Sequence, residues 1–125
     1  MTTAPHLLVI DDEKDFCDLV VRVGTQLGYM ATATSTAGDF KACYQADPPD
    51  LIVLDIVMPE QDGIELMRWL VEQGCSARIV IASGYNPVFA NAAKMIGEFS
   101  GKLSVAFLQK PVKLADLRAQ LAVRP

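Results

Sequence analysis

Asp11, Asp12 and Asp55 are the residues from which a chemistry can be argued. Asp11 and Asp12 follow directly on the apolar run His6-Leu7-Leu8-Val9-Ile10, and Glu13 extends the acidic stretch. Asp55 follows directly on Leu51-Ile52-Val53-Leu54. Continuous apolar runs bounded by polar residues fit strands buried on both faces, as in a parallel sheet covered by helices. Such sheets bind ligands outside the carboxyl ends of their strands, where the strand order reverses. Three carboxylates meeting there repel by roughly 4 kcal/mol per close pair at an effective dielectric of 20. A shared cation relieves that repulsion, and clustered hard oxygens suit Mg²⁺.

Within this cluster Asp55 is the candidate reactive group. A carboxylate beside Mg²⁺ can attack phosphorus and form an acyl phosphate. Lys110, a flexible point charge, could balance the acids first and grip the phosphate afterwards. Ser83 offers a hydroxyl to a phosphoryl oxygen, and backbone amides near Val57 and Gly84 could complete the cradle. Taken singly, each residue has a plainer reading. Asp11 and Asp12 could cap the following helix, Lys110 could be a surface lysine and Ser83 a turn residue. Their convergence at the strand ends favours the chemical reading. His6, the sole histidine, has no partner at motif spacing and reads as an ordinary surface residue, so a phosphohistidine of this chain's own is not expected.

The elements that must position these residues alternate strand and helix throughout. Phe16, Leu19, Val20, Val23 and Leu27 recur at helical spacing, with Gly28 as a stop. A short strand is expected over Met30 to Thr34. Thr36 and Asp39 suggest a capping box for the next helix, which Asp47-Pro48-Pro49-Asp50 ends. After Asp55 a loop is expected over 56–61, closed by the turn pair Asp62-Gly63. The following helix turns Ile64, Met67, Leu70 and Val71 inward and leaves Trp69 half exposed. Arg78 to Ala82 reads as the fourth strand. Asn86 and Pro87 open a helix that runs to about Ser100. Val105 to Leu108 is the fifth strand, and Leu114, Leu117 and Leu121 line a last helix. Every strand but the second therefore delivers a polar residue to one edge.

Composition excludes several classes. The chain of 125 residues is 51% hydrophobic, which suits a globular single domain over residues 1–125. A net charge of −4 and a pI near 4.8 argue against direct nucleic-acid binding, which needs a basic face. No apolar run reaches membrane-spanning length, and the first residues lack signal-peptide character. Cys17, Cys43 and Cys75 are widely spaced and read as small, mostly buried thiols of a cytoplasmic protein rather than metal or redox centres.

The segments LLVIDDE, LIVLDIVMPEQDGIEL, IVIASGY and FLQKPV, in that order, resemble the receiver domains of bacterial two-component response regulators across essentially the whole chain. The resemblance implies a flavodoxin-like (βα)5 three-layer sandwich with a five-stranded parallel sheet in the order 2-1-3-4-5. It makes Asp55 the phosphoacceptor. Asp12 and Asp55 become direct Mg²⁺ ligands, with the Val57 carbonyl as a third and Asp11 acting partly through water. Ser83 is then the switch hydroxyl, with Gly84 beside it in the phosphate cradle. Lys110 is the phosphate-binding lysine and Phe107 the switch aromatic. A cis Lys110-Pro111 bond is also implied. The donor would be a histidine kinase or a histidine phosphotransfer protein, docking near Phe16 and Cys17. The signal would pass to a protein target or a fused output domain, neither of which the sequence identifies.

Two features depart from common members. Val88, Phe89, Ala92, Ala93, Met95, Ile96 and Phe99 make an unusually wide apolar stripe. It fits a deeply packed helix, or a partner or homodimer surface on the face of the fourth predicted helix, fifth strand and last helix. Val57 and Tyr85 stand where some relatives carry polar side chains that guide water, so slow self-dephosphorylation is expected. An aspartyl phosphatase acting on external esters is disfavoured, because Val57 stands where such enzymes keep the acid that protonates the leaving group. A receiver acting without phosphorylation is the remaining alternative.

Overall fold

In the computed structural model the described residues are 4–55, 57–58, 61–84 and 104–122. They form β1 (His6–Ile10), α1 (Lys14–Gln26), β2 (Met30–Thr34), α2 (Ala37–Ala46), β3 (Leu51–Leu54), β4 (Val57–Met58), β5 (Gln61–Asp62), α3 (Gly63–Glu72), β6 (Arg78–Ser83), β7 (Ser104–Gln109) and α4 (Leu114–Ala122). Five strands make one parallel sheet, ordered β2-β1-β3-β6-β7. Numbering only these five along the chain, the order is 2-1-3-4-5, as expected. The reversal lies between β1 and β3, where the chain leaves first to one side and then to the other.

Side chains alternate across a strand, and the sheet uses both sides. Leu8 and Ile10 of β1, Ile52 and Leu54 of β3, and Ile79 and Ile81 of β6 pack with Phe40 and Tyr44 of α2 and Leu66, Met67 and Leu70 of α3. Their neighbours Leu7, Val9, Leu51, Val53, Val80 and Ala82 pack with Cys17, Val20 and Val23 of α1 and Leu117 and Leu121 of α4. Helices thus cover both faces, giving three layers. Each fully buried aliphatic side chain contributes about 1.5–3 kcal/mol, so the central strands are firmly held.

The ends of the elements follow local chemistry. Gly28, at φ 95°, ends α1 in the left-handed conformation that glycine tolerates. Thr36 caps α2, its Oγ1 accepting from the Asp39 amide at 3.1 Å. Trp69 is half-buried, edge-to-face with Tyr44 at 5.2 Å and beneath the Lys41 ammonium.

Three expectations need correction. The stretch after Asp55 is not simply a loop: β4 and β5 form a short antiparallel ribbon, and Gly63 opens α3 rather than closing a turn. Two-residue strands are too short to show an alternating pattern. Strands β6 and β7 also run slightly beyond their expected ends. His6 is not an ordinary surface residue. It lies in β1, its Nδ1 is 3.2 Å from the Asp47 carbonyl and its Nε2 is 3.1 Å from Thr32 Oγ1. Its amide donates to Asp50 Oδ2 at 2.8 Å. These partners arrive from β2 and the α2–β3 connection, at sequence distances that no local motif records. Tyr85, the helix expected from Asn86 and its apolar stripe lie outside the described residues.

The last helix is tied to the sheet by polar bonds. The Tyr29 hydroxyl donates to the Leu121 carbonyl at 2.6 Å, and Arg78 Nη1 donates to the Gln120 carbonyl at 2.6 Å. Tyr29→Phe is expected to cost about 1 kcal/mol, since it leaves that carbonyl without its donor. Urea denaturation should show a lower midpoint at an unchanged slope; an unchanged midpoint would contradict the assigned bond.

Candidate functional site

The crevice is built at the carboxyl ends of β1, β3, β6 and β7. Asp11 follows β1 directly, and its amide donates to the Thr34 carbonyl at 3.2 Å. Asp55 follows β3, and its amide donates to the Ile10 carbonyl at 3.1 Å. Extending the sheet's ladder by one residue in this way fixes both backbones. Asp11 and Asp55 are buried while Asp12 is exposed, and one carboxylate oxygen from each lies within 4.8 Å of the other two. All three acids chosen from the sequence are therefore brought together.

Lys110 reaches this cluster from just beyond β7. Its amide donates to the Ser83 carbonyl at 2.8 Å, and the Lys110-Pro111 bond is cis, as expected. Its ammonium donates to Asp11 Oδ2 at 2.7 Å and to Glu13 Oε1 at 2.9 Å, and lies 3.5 Å from Asp55 Oδ2. The Lys110 side chain is 11% exposed. Burial works to lower its pKa, but the bonds to Asp11 and Glu13 and the charges of Asp11 and Asp55 outweigh that and raise it. The lysine is therefore firmly cationic.

Asp11 behaves differently. Burial pushes its carboxyl above the ordinary range, against the lowering from Lys110 and from the Glu13 amide, which donates to Asp11 Oδ1 at 2.8 Å. One ammonium thus faces three carboxylates, those of Asp11, Glu13 and Asp55. Ser83, at the end of β6, is buried, and Gly84 follows it at the surface. Phe107 in β7 is 41% exposed, on the rim of a groove of about 570 Å³ lined also by Lys110, Val112 and Asp116. Val57 stands in β4, opposite Asp62.

Cys17 is buried, as expected of a small thiol, which removes it from the docking surface for which it was also a candidate. Its thiol donates to the Asp11 carbonyl at 3.3 Å. Burial, with the charges of Asp11 and Asp18, pushes that thiol up to about 11, which makes it a poor nucleophile. Two members of the site escaped the sequence reading. Glu13 was legible only as the third acid of a run. Phe16 read as a residue of the helical stripe and a candidate docking contact, but not as a neighbour of the lysine; its ring centroid lies 4.5 Å from Lys110 Nζ, a cation–π distance. No helix among the described residues is long and apolar enough to cross a membrane.

Removing one of three like charges should help the metal-free fold. Asp12→Asn is expected to melt higher than the parent without divalent cation, modestly because Asp12 is exposed. It should also gain less from added Mg²⁺. A parent that melts higher under both conditions would show that the acids do not repel.

The response regulator receiver domain model matches residues 7–122. The response regulator receiver protein CpdR of Brucella abortus is 30% identical over 112 residues, which cover 90% of this chain and 89% of that protein. The photosynthetic apparatus regulatory protein RegA of Rhodovulum sulfidophilum is 29% identical over 118 residues, 94% of this chain but 61% of its own length. The chain thus spans about three fifths of that relative. Among solved structures, the receiver domain of NtrX from Brucella abortus matches with a TM-score of 0.79 at 26% identity, covering 93% of this chain and 97% of that one. A CheY-like receiver domain protein from Methanospirillum hungatei has a TM-score of 0.80 at 22% identity, over 95% and 91% of the two chains, a likeness of fold. By the family match over residues 7–122, this chain belongs to the response regulator receiver domain family of two-component signalling.

Proposed function

We propose that Asp55 accepts a phosphoryl group from a phosphohistidine donor in a Mg²⁺-dependent reaction, and that the modification switches a protein-interaction surface. The observation that carries this reading is the Lys110 ammonium, 2.7 Å from buried Asp11 and 3.5 Å from buried Asp55. A structural ion pair needs one acid. Here a single lysine is shared among acids at the ends of two strands, beside a third that faces solvent. The hard oxygens of Asp11, Asp12 and Asp55, with the Val57 carbonyl, suit Mg²⁺. When bound, the cation would neutralise the attacking carboxylate and the phosphoryl oxygens.

In the transfer, an Asp55 carboxylate oxygen forms the new bond to phosphorus as the bond to the donor's imidazole nitrogen breaks. The nitrogen keeps the electron pair, and the imidazole is left neutral or takes a proton from solvent. Lys110 and Ser83 hold the phosphoryl oxygens, with Gly84 placed to offer its amide. The product carries roughly two more negative charges than a neutral side chain would. Lys110 and Ser83 tighten toward them, and Phe107 moves from its exposed position toward the interior. The change is a population shift, so it works through contacts that differ between the two states.

The donor is a histidine kinase or a histidine phosphotransfer protein. The reader is a protein target, a fused output domain or a second copy meeting the β7–α4 side. The chain acts only on itself: it catalyses its own phosphorylation and a slow dephosphorylation, because Val57 has no proton to give a leaving group and no polar group to guide water. Free thiols at Cys17, Cys43 and Cys75 support a cytoplasmic setting.

Incubation with phosphoramidate, whose bond to nitrogen mimics that of the donor, is expected to add one phosphoryl mass that needs Mg²⁺ and that Asp55→Asn abolishes. An adduct that persists in the variant would move the acceptor elsewhere. A folded protein that takes none, even from a histidine phosphodonor, would contradict the proposal.

A further inference from the structure

Glu13 occupies the N-cap position of α1, yet its side chain makes no cap bond to the helix. The residues that cap well there are Ser, Thr, Asp and Asn, whose short side chains reach the first free amides. Glu13 turns back to the crevice instead, with Oε1 2.9 Å from Lys110 Nζ. Its backbone is held for this by the bond from its amide to Asp11 Oδ1 at 2.8 Å. Lys110 is therefore gathered toward the start of α1, by Glu13 on one side and the Phe16 ring on another. Asp55, at 3.5 Å, is the farthest of the three acids around the ammonium.

Two of the ammonium's three donors are directed at Asp11 and Glu13, and these short contacts hold it 3.5 Å from Asp55. An anion on Asp55 therefore competes with them for the ammonium's position. The two short contacts differ in how easily they yield. Asp11 has a fully buried side chain, and stripping a buried carboxylate of its cation is costly. Glu13 is 61% exposed, and water can take the lysine's place there at little cost. Glu13 is the partner that can let go.

We propose that Glu13 is a positioning residue that holds Lys110 toward α1 in the resting protein and competes with an anion on Asp55 for the ammonium. The inference rests on the reading of Asp55 as phosphoacceptor. The contact sets how strongly the unmodified state resists the modified one, without taking part in the transfer. Because the pair is solvent-facing, its effect on the equilibrium is about two- to fivefold, the range of exposed ion pairs, and it shrinks as salt rises.

The test is a titration of the full chain with beryllofluoride and Mg²⁺, followed by NMR, on the parent, Glu13→Ala and Glu13→Asp. Aspartate keeps the charge but is one methylene short of the lysine. Both variants are expected to bind the anion about two- to fivefold tighter at low salt. Both should also shift the Lys110 Nζ resonance in the anion-free protein. If Glu13→Asp binds like the parent while Glu13→Ala binds tighter, the effect belongs to net charge and the proposal fails. Equal binding by all three overturns it as well. If the parent binds no beryllofluoride, the phosphoacceptor reading falls, and the Lys110 resonance still decides the contact: an unshifted signal in Glu13→Ala would refute it.

Discussion

One ammonium is shared by more carboxylates than it can neutralise. Lys110 lies within 3.5 Å of Asp11, Glu13 and Asp55, and Asp12 lies close by. Pairs of unit charges at such distances interact by roughly 4 kcal/mol at an effective dielectric of 20. The crevice therefore holds more negative than positive charge, and burial of Asp11 pushes its carboxyl above the ordinary range in spite of the bond from Lys110. On the proposed function, the same imbalance is what a bound Mg²⁺ would relieve and what a new charge on Asp55 would disturb.

A site under this repulsion needs walls that do not give. The strands that carry Asp11 and Asp55 are buried on both faces, and each acid is held by an amide bond that continues the sheet ladder. The lysine arrives from β7, whose end is pinned to β6 through the Lys110 amide and the Ser83 carbonyl. Rigid strand ends place the charges, whereas long side chains such as those of Lys110 and Glu13 can adjust.

Much of this was legible because apolar runs ending in acids have few structural solutions. Leu7 to Ile10 and Leu51 to Leu54 read as buried strands, so Asp11, Asp12 and Asp55 followed as neighbours at one edge. The helix stop at Gly28 and the cap at Thr36 were local signals with a mechanism and were found. What the sequence hid was set by tertiary contact. His6 gains its partners from Asp47, Asp50 and Thr32, all far along the chain. Cys17 and Phe16 sit side by side on α1, yet Cys17 is sealed under the Asp11 carbonyl while Phe16 lines the lysine. The β4–β5 ribbon was too short for any periodicity to announce it.

The cost of keeping buried Asp11 ionised in this crevice is most directly measured as folding stability against pH, without added metal, for the parent and Asp11→Asn. A carboxyl raised in the folded state binds its proton more tightly there than in the unfolded chain. Its ionisation therefore costs stability as pH climbs from the ordinary aspartate range, about 4, through the folded value. The account predicts that the parent loses stability relative to Asp11→Asn across that window, and that saturating Mg²⁺ removes the loss. Parallel curves for the two proteins, unmoved by Mg²⁺, would contradict it.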